Sequence, residues 1–272
     1  MKNKKWGLSV LGLFIVVIFL FPMYWMVLSS LRPSGQLLGN TNIFPADISF
    51  ESYANIFNRD YPLMTYFKNS FIIAIGVTFG NLLLAAPAAY ALARKKLYGL
   101  IILILFILVI QMFPSNMLAL PLYSLFSQFQ LLNSYIGIII ANMTLSLPFV
   151  ILILRTYYLY IPSDLEEAAL LDGCSKWRAF YSVILPLVKP GLFTCAAFSF
   201  VLAWGEFLYA LTLLKDNNLW TITLGMREFS GQFGTRWGDL MAISVISSLP
   251  VVIIFIITQR YIVGGITAGT GK

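Results

Sequence analysis

Six apolar runs, each near the length needed to cross a bilayer, leave this 272-residue sequence few folds to choose from. They cover residues 8–29, 70–93, 100–120, 134–154, 191–214 and 240–262. A helix rising about 1.5 Å per residue needs about 20 apolar residues to cross a hydrocarbon core of about 30 Å. Inside that core every backbone N–H and C=O must be satisfied internally, so such runs become helices. With 59% hydrophobic and 11% charged residues, the chain is no ordinary soluble domain. The expected fold is all-α and polytopic, with about six transmembrane helices in a single domain, residues 1–272.

Charge then sets the expected orientation. Basic clusters at Lys2, Lys4 and Lys5, at Arg94, Lys95 and Lys96, and at Lys176, Arg178 and Lys189 all fall on one side of the six-span plan. The positive-inside rule makes that side cytoplasmic, and both termini with it. Residues 32–69, with Pro33, Pro45 and Pro62 and no long apolar run, become an outer loop. The first run follows three lysines as a signal peptide would, but it is long and lacks a small-residue cleavage site, so a retained anchor is expected. The net charge of +7 is scattered between apolar runs rather than gathered on one face, which argues against nucleic acid. Cys174 and Cys195 suggest neither a disulfide framework nor a metal site. Histidine is absent, which removes the commonest general base and the commonest metal ligand.

The polar interruption between the fourth and fifth runs, residues 162–190, reads PSDLEEAALLDGCSKWRAFYSVILPLVKP. Ser163 and Glu166 have the spacing of a capping box, and Asp164 and Glu167 suit the positive end of a helix dipole. Ala168 and Ala169 leave a narrow face. Gly173 fits a left-handed helix end, and Ser175 can cap a second helix. On that helix Trp177, Phe180, Tyr181 and Ile184 recur at helical spacing as one apolar stripe, closed by Pro186 and Pro190. An ordinary amphipathic hairpin at the membrane surface would share several of these features.

The order Glu167-Ala168-Ala169, Asp172-Gly173, Phe180 and Ile184-Leu185-Pro186 resembles the EAA loop of ATP-binding-cassette importer permeases. FPADISFESYANIF, the pair Asn69-Ser70, TITLGMREFSGQFGTRWGDLMA and the closing QRYIVGGITAGTGK are similar to the carbohydrate-uptake, maltose-transporter-like branch, so the resemblance covers nearly the whole chain. It implies that the loop docks on an ATPase subunit through Glu166, Glu167, Ala168, Ala169, Asp172, Gly173, Phe180, Ile184 and Pro186. It also implies that the C-terminal end, a tail of residues 263–272 with Gln259 and Arg260 just before it, contacts the ATPases, the contact residues being Gln259, Arg260, Gly265 and Thr267. Cys174 stands where the family often has alanine.

Several residues within the apolar runs bear on a solute path. Pro87 lies inside the second run. Pro114 either breaks the third helix to line a cavity or simply turns the chain, and Pro121 is expected to turn it. Asn142, Thr144 and Ser146 suit hydrogen bonds between helices, or one wall of a polar path. Glu206 is the unusual carboxylate, expected about 22 Å along a helix begun at Gly191. At that depth a carboxylate is costly unless paired or wet, so it is a candidate for a gate or pathway. The related branch often has Trp-Asn-Glu-Phe where this chain has Trp204-Gly205-Glu206-Phe207, so no role for the asparagine is carried over.

The expected function is the permease subunit of an importer in a bacterial or archaeal inner membrane, moving a sugar or oligosaccharide inward. Glycerol phosphate or a polyol is the alternative solute. The resemblance implies a second, non-identical permease, two ATPase subunits and an extracytoplasmic solute-binding protein as partners. The closing Gly271-Lys272 fails the phosphate-loop pattern, because Ile266 stands where it needs glycine. No cofactor is therefore expected in this chain, and ATP and magnesium belong to the partner ATPase. An enzyme would need a catalytic constellation, which dispersed acids do not make. A secondary transporter would need no docking hairpin and would show internal repeats.

Overall fold

The computed structural model describes residues 2–33, 42–44, 47–58, 61–95, 98–231 and 234–268, with side chains from residue 9 to residue 260. Parts of the expected outer loop, including Pro45 and Arg59, lie outside the described residues, as do residues 269–272 of the tail. The helices follow the apolar runs. Among the described residues four are long and apolar enough to cross a membrane, or six if each of two bent pairs is one span.

The chain forms two compact units, residues 1–63 with 225–250, and residues 64–224 with 251–272. In the first unit α1 (Lys2–Ser30) carries an apolar window of which nothing is buried within the chain, so its faces belong to lipid or to a partner. Beyond it, Ser30 hydrogen-bonds Tyr53 at 2.8 Å on α2 (Glu51–Asn58), and the Arg32 guanidinium lies over Trp25. A two-residue hairpin, β1 (Ser230–Gly231) with antiparallel β2 (Gly234–Thr235), leads to α13 (Trp237–Ala268). At its start Arg236 pairs with Asp239 at 3.3 Å, donates to the Tyr61 hydroxyl at 2.9 Å and stacks on Tyr61 and Phe229. Asp239 also accepts from Asn55, so one ion pair ties residues 55–61 to residues 229–239, two stretches far apart in sequence.

The second unit is built on α3 (Leu63–Arg94), α6 (Tyr135–Tyr160) and α10 (Lys189–Gly205). Asn81 of α3 is fully buried and donates to Ser146 of α6 at 2.7 Å and to Ser199 of α10 at 3.0 Å. In a bundle where lipid and core are equally apolar, such bonds and close packing provide the specificity. Small residues supply the closeness. A Cβ added at Gly191 would meet the Tyr157 ring at 2.6 Å, so glycine is what lets α10 approach α6 there. Asn69 at the head of α3 is equally buried and holds the segment before α12 (Ile222–Gly225), donating to the carbonyls of Asn218 and Trp220 and accepting from Tyr135.

Two of the expected spans are broken. The third divides into α4 (Leu100–Met112) and α5 (Ser115–Gln128), bent by 96°. The break falls where a proline must put it: Pro114 has no N–H to donate, and its ring drives the preceding Phe113 to extended backbone, φ −71° and ψ 126°. The turn expected at Pro121 is absent, because Pro121 lies within α5. The fifth span, expected to run to Leu214, ends at Gly205, and a separate α11 (Leu208–Leu213) follows. The last helix, expected to end at Ile262, continues to Ala268 into the segment read as a tail.

Candidate functional site

The polar interruption is the hairpin its sequence spells, with one internal rewiring. α7 (Asp164–Leu171) ends in Gly173 at φ 83°, a left-handed conformation that only glycine enters without steric cost. Cys174 N–H then reaches the Ala169 carbonyl at 3.0 Å, and Gly173 N–H reaches Leu170 at 3.1 Å, the paired bonds of a Schellman ending. Ser175 caps α8 (Lys176–Ala179), accepting from Arg178 N–H at 3.3 Å. The capping box expected at Ser163 and Glu166 is not formed: Ser163 has helical backbone angles and its side chain makes no cap bond. Glu166 turns instead to α3, where it accepts from the Tyr90 hydroxyl and faces Arg94 Nε at 3.5 Å. Arg94 completes the clamp by donating to the carbonyl of Ile161 at 2.6 Å, just ahead of the hairpin. A charged partner outweighs a local backbone N–H as a destination for a carboxylate.

The expected four-residue apolar stripe is divided by a π turn at Phe180–Ile184. Phe180 and Ile184 are buried in one cluster with Ala85, Ala89, Val150, Tyr158 and Cys195, so the hairpin is rooted in α3, α6 and α10. Trp177 and Tyr181 stack on each other and stay 66% and 58% exposed. The wider π turn is what parts the pairs, since its i to i+5 bonding, with Leu185 N–H on the Phe180 carbonyl, slows the rotation per residue. After α9 (Leu185–Leu187), with Pro186 exposed, the chain bends by 75° into α10.

α7 itself has two faces. Ala169 is buried and Glu166 is clamped, whereas Asp164, Glu167, Ala168 and Leu171 recur at helical spacing along an exposed stripe, Leu171 being 89% exposed. Asp172 and Gly173 continue the exposed edge. Of the nine hairpin residues singled out in the sequence, Glu167, Ala168, Asp172, Gly173 and Pro186 are exposed, while Glu166, Ala169, Phe180 and Ile184 face the bundle.

The other candidates lie apart from the hairpin. Asn142 is buried and donates to Ile138 of its own helix at 2.9 Å, while Ser146 joins the Asn81 cluster. Thr144 is exposed and lines, with Gln111, Phe149 and Phe198, a cavity of about 190 Å³ at the α4–α5 bend. Glu206 is not within a helix: it has extended angles, φ −70° and ψ 133°, and its two carboxylate oxygens accept from Tyr209 N–H at 2.6 Å and Ala210 N–H at 3.1 Å. From the position before the N-cap Phe207, its carboxylate thus satisfies two N–H groups in the first turn of α11. Gln259 donates to the Ile256 carbonyl on α13. Gly265 and Thr267 fall where side chains are not described. Among the described residues no group of His, Cys, Asp or Glu could hold a metal ion.

Sequence reasoning missed Asn81, Tyr90 and Arg94 as site-building residues. Asn81 carried a signal, a lone amide in an apolar run, whereas Tyr90 and Arg94 gained their meaning from a partner 76 and 72 positions away.

Comparison with known proteins gives an independent frame for this geometry. The family model described as "Binding-protein-dependent transport system inner membrane component" matches residues 81–267, a span that contains the hairpin. The diacetylchitobiose uptake system permease protein of Streptomyces coelicolor is 34% identical over 276 aligned positions, covering 100% of both chains. The trehalose/maltose transport system permease protein of Thermococcus litoralis is 34% identical, covering 99% of this chain and 97% of that one. Among solved structures, a chain of a bacterial ABC transporter involved in import of the acidic polysaccharide alginate superposes with a TM-score of 0.81. That likeness, at 22% identity over 96% of this chain and 98% of the other, is one of fold.

Proposed function

The chain belongs to the family of binding-protein-dependent transport system inner membrane components, and from that footing we propose that it is the membrane-spanning permease subunit of an ATP-driven importer for a sugar or oligosaccharide. It is a transport component and not an enzyme. The relatives named for diacetylchitobiose and for trehalose and maltose favour a carbohydrate over glycerol phosphate. The partners in this reading are a second permease, two ATPase subunits that bind ATP and magnesium, and an external solute-binding protein. Both termini and the hairpin face the cytoplasm, in an inner membrane.

The observation that carries the mechanism is the two-faced hairpin. Its outward stripe, Glu167, Ala168, Leu171, Asp172 and Gly173, is offered to an ATPase groove. Its inner set, Glu166, Ala169, Phe180 and Ile184, is fastened to α3, α6 and α10 by an ion pair, a hydrogen bond and a buried cluster. Motion of the ATPases therefore reaches three membrane helices at once, and alternating access follows as a two-state equilibrium that nucleotide and the loaded binding protein both shift. Asn142 and Glu206 serve this change by packing and capping, while Gln259, Arg260, Gly265 and Thr267, at the end of α13, reach toward the ATPases.

Purification of the tagged chain from its native membrane in mild detergent tests the reading. A second permease and an ATPase should co-purify, and a chain that emerges alone under conditions preserving other membrane complexes would overturn it. Glu167→Lys and Gly173→Asp should each weaken ATPase retention while leaving the chain in the membrane, and intact assembly with normal uptake in both would remove the hairpin from the mechanism.

A further inference from the structure

Between the end of α3 and the second arm of the hairpin lies a cleft of about 370 Å³ that the coupling scheme leaves unused. Its lining carries three cations, Arg94, Lys95 and Lys176, and one acid, Glu166. Glu166 is already engaged by Tyr90 and Arg94, and no described carboxylate pairs with Lys95 or Lys176. The cleft thus holds uncompensated positive charge, at the point where the apolar run of α3 gives way to polar sequence.

Two further features fix the chemistry of an occupant. Trp177, on the cleft wall, stacks on Tyr181, and both are largely exposed, as aromatic residues are where a protein surface meets lipid headgroups. Leu84, 50% exposed, shares its helical face with Ala91 and Lys95 of the cleft, so an apolar track leads from the charged end back along the membrane span. Charge at one end and apolar surface at the other match a phospholipid, and the sign of the charge selects an anionic headgroup. Basic pockets at the cytoplasmic ends of membrane helices hold such headgroups through their phosphates.

We propose that this cleft is a binding site for an anionic phospholipid of the phosphatidylglycerol type, its phosphate held by Lys95 and Lys176 and its acyl chain laid along α3. The proposal rests on the cytoplasmic placement of the hairpin in the reading above. Occupancy would brace the hairpin against α3 beside the Glu166 clamp, making coupling sensitive to the lipid composition of the inner leaflet.

Native mass spectrometry of the intact importer, titrated with phosphatidylglycerol or phosphatidylcholine, tests the site. The wild type should retain phosphatidylglycerol in preference, and the double variant K95Q/K176Q should lose that preference by about tenfold or more, as two basic residues at an anionic surface contribute. K95R/K176R, which keeps both charges, should restore it. A K95Q/K176Q complex with unchanged preference would overturn the proposal. Displacement of the lipid by millimolar inorganic phosphate would overturn it too, since the ligand would then be a soluble anion. The same spectra report whether ATPase subunits are bound, so failure of the lipid site and failure of the importer reading are separate outcomes.

Discussion

At the scale of single residues, Glu206 shows a carboxylate held by backbone N–H groups rather than by a charged partner. Its carboxylate accepts from the N–H groups of Tyr209 and Ala210 in the first turn of α11, so its loss should be felt as a frayed helix rather than as a missing solute contact. Glu206→Ala should cost about 1 kcal/mol, as lost caps do. Amide exchange at Tyr209 and Ala210 in the purified complex should accelerate several-fold. Glu206→Gln keeps one acceptor oxygen, and uptake by that variant should stay close to the wild type. A large loss of uptake with unchanged exchange would return Glu206 to a gating role.

At the scale of elements, the question is what binds helix to helix and hairpin to bundle. Asn81 joins α3, α6 and α10 through two hydroxyls, and Asn81→Ala should destabilise the chain by about 1 kcal/mol, within the range measured for hydrogen bonds between membrane helices. Thermal unfolding of the complex checks this, and the double variants with Ser146→Ala and Ser199→Ala should be less than additive because they share one network. Tyr90→Phe removes a hydrogen bond to the Glu166 carboxylate, a loss of about 1.5–3 kcal/mol where the acceptor is charged. In proteoliposomes the result should be uncoupling: ATP hydrolysis persists while solute moved per ATP falls. Equal loss of both would mean that the hairpin had simply detached from its ATPase.

At the scale of the whole molecule, the chain is written for company. The apolar window of α1 has nothing buried within the chain, and α4 has no buried residue. These faces need lipid or another protein, and in the proposed reading an ATPase groove covers the outward stripe of α7. ATP hydrolysis by the reconstituted importer should therefore respond to its binding protein loaded with an oligosaccharide, and not to the same protein with glycerol phosphate. Stimulation by glycerol phosphate alone would move the solute out of the carbohydrate class.

The sequence by itself determined whatever depends on neighbours along the chain. Six apolar runs dictated where membrane helices form, because lipid permits no unpaired backbone. Gly173 and Ser175 ended one short helix and began the next, because left-handed backbone and a cap hydroxyl are local requirements. Tertiary structure decided the matters settled by competition between distant partners. Glu166 satisfied its local pattern as a cap, yet Tyr90 and Arg94 took it, since a cation and a hydroxyl hold a carboxylate better than a backbone N–H does. Glu206 read as a charge inside a helix until the chain broke there and gave it N–H groups to accept from. Asn81 went unread in the sequence, and its role came only from two serines on other helices that close on it. The proline at 114 lies between these cases: its power to break a helix was legible in the sequence, because a missing N–H is a local property, but the 96° between α4 and α5 was not.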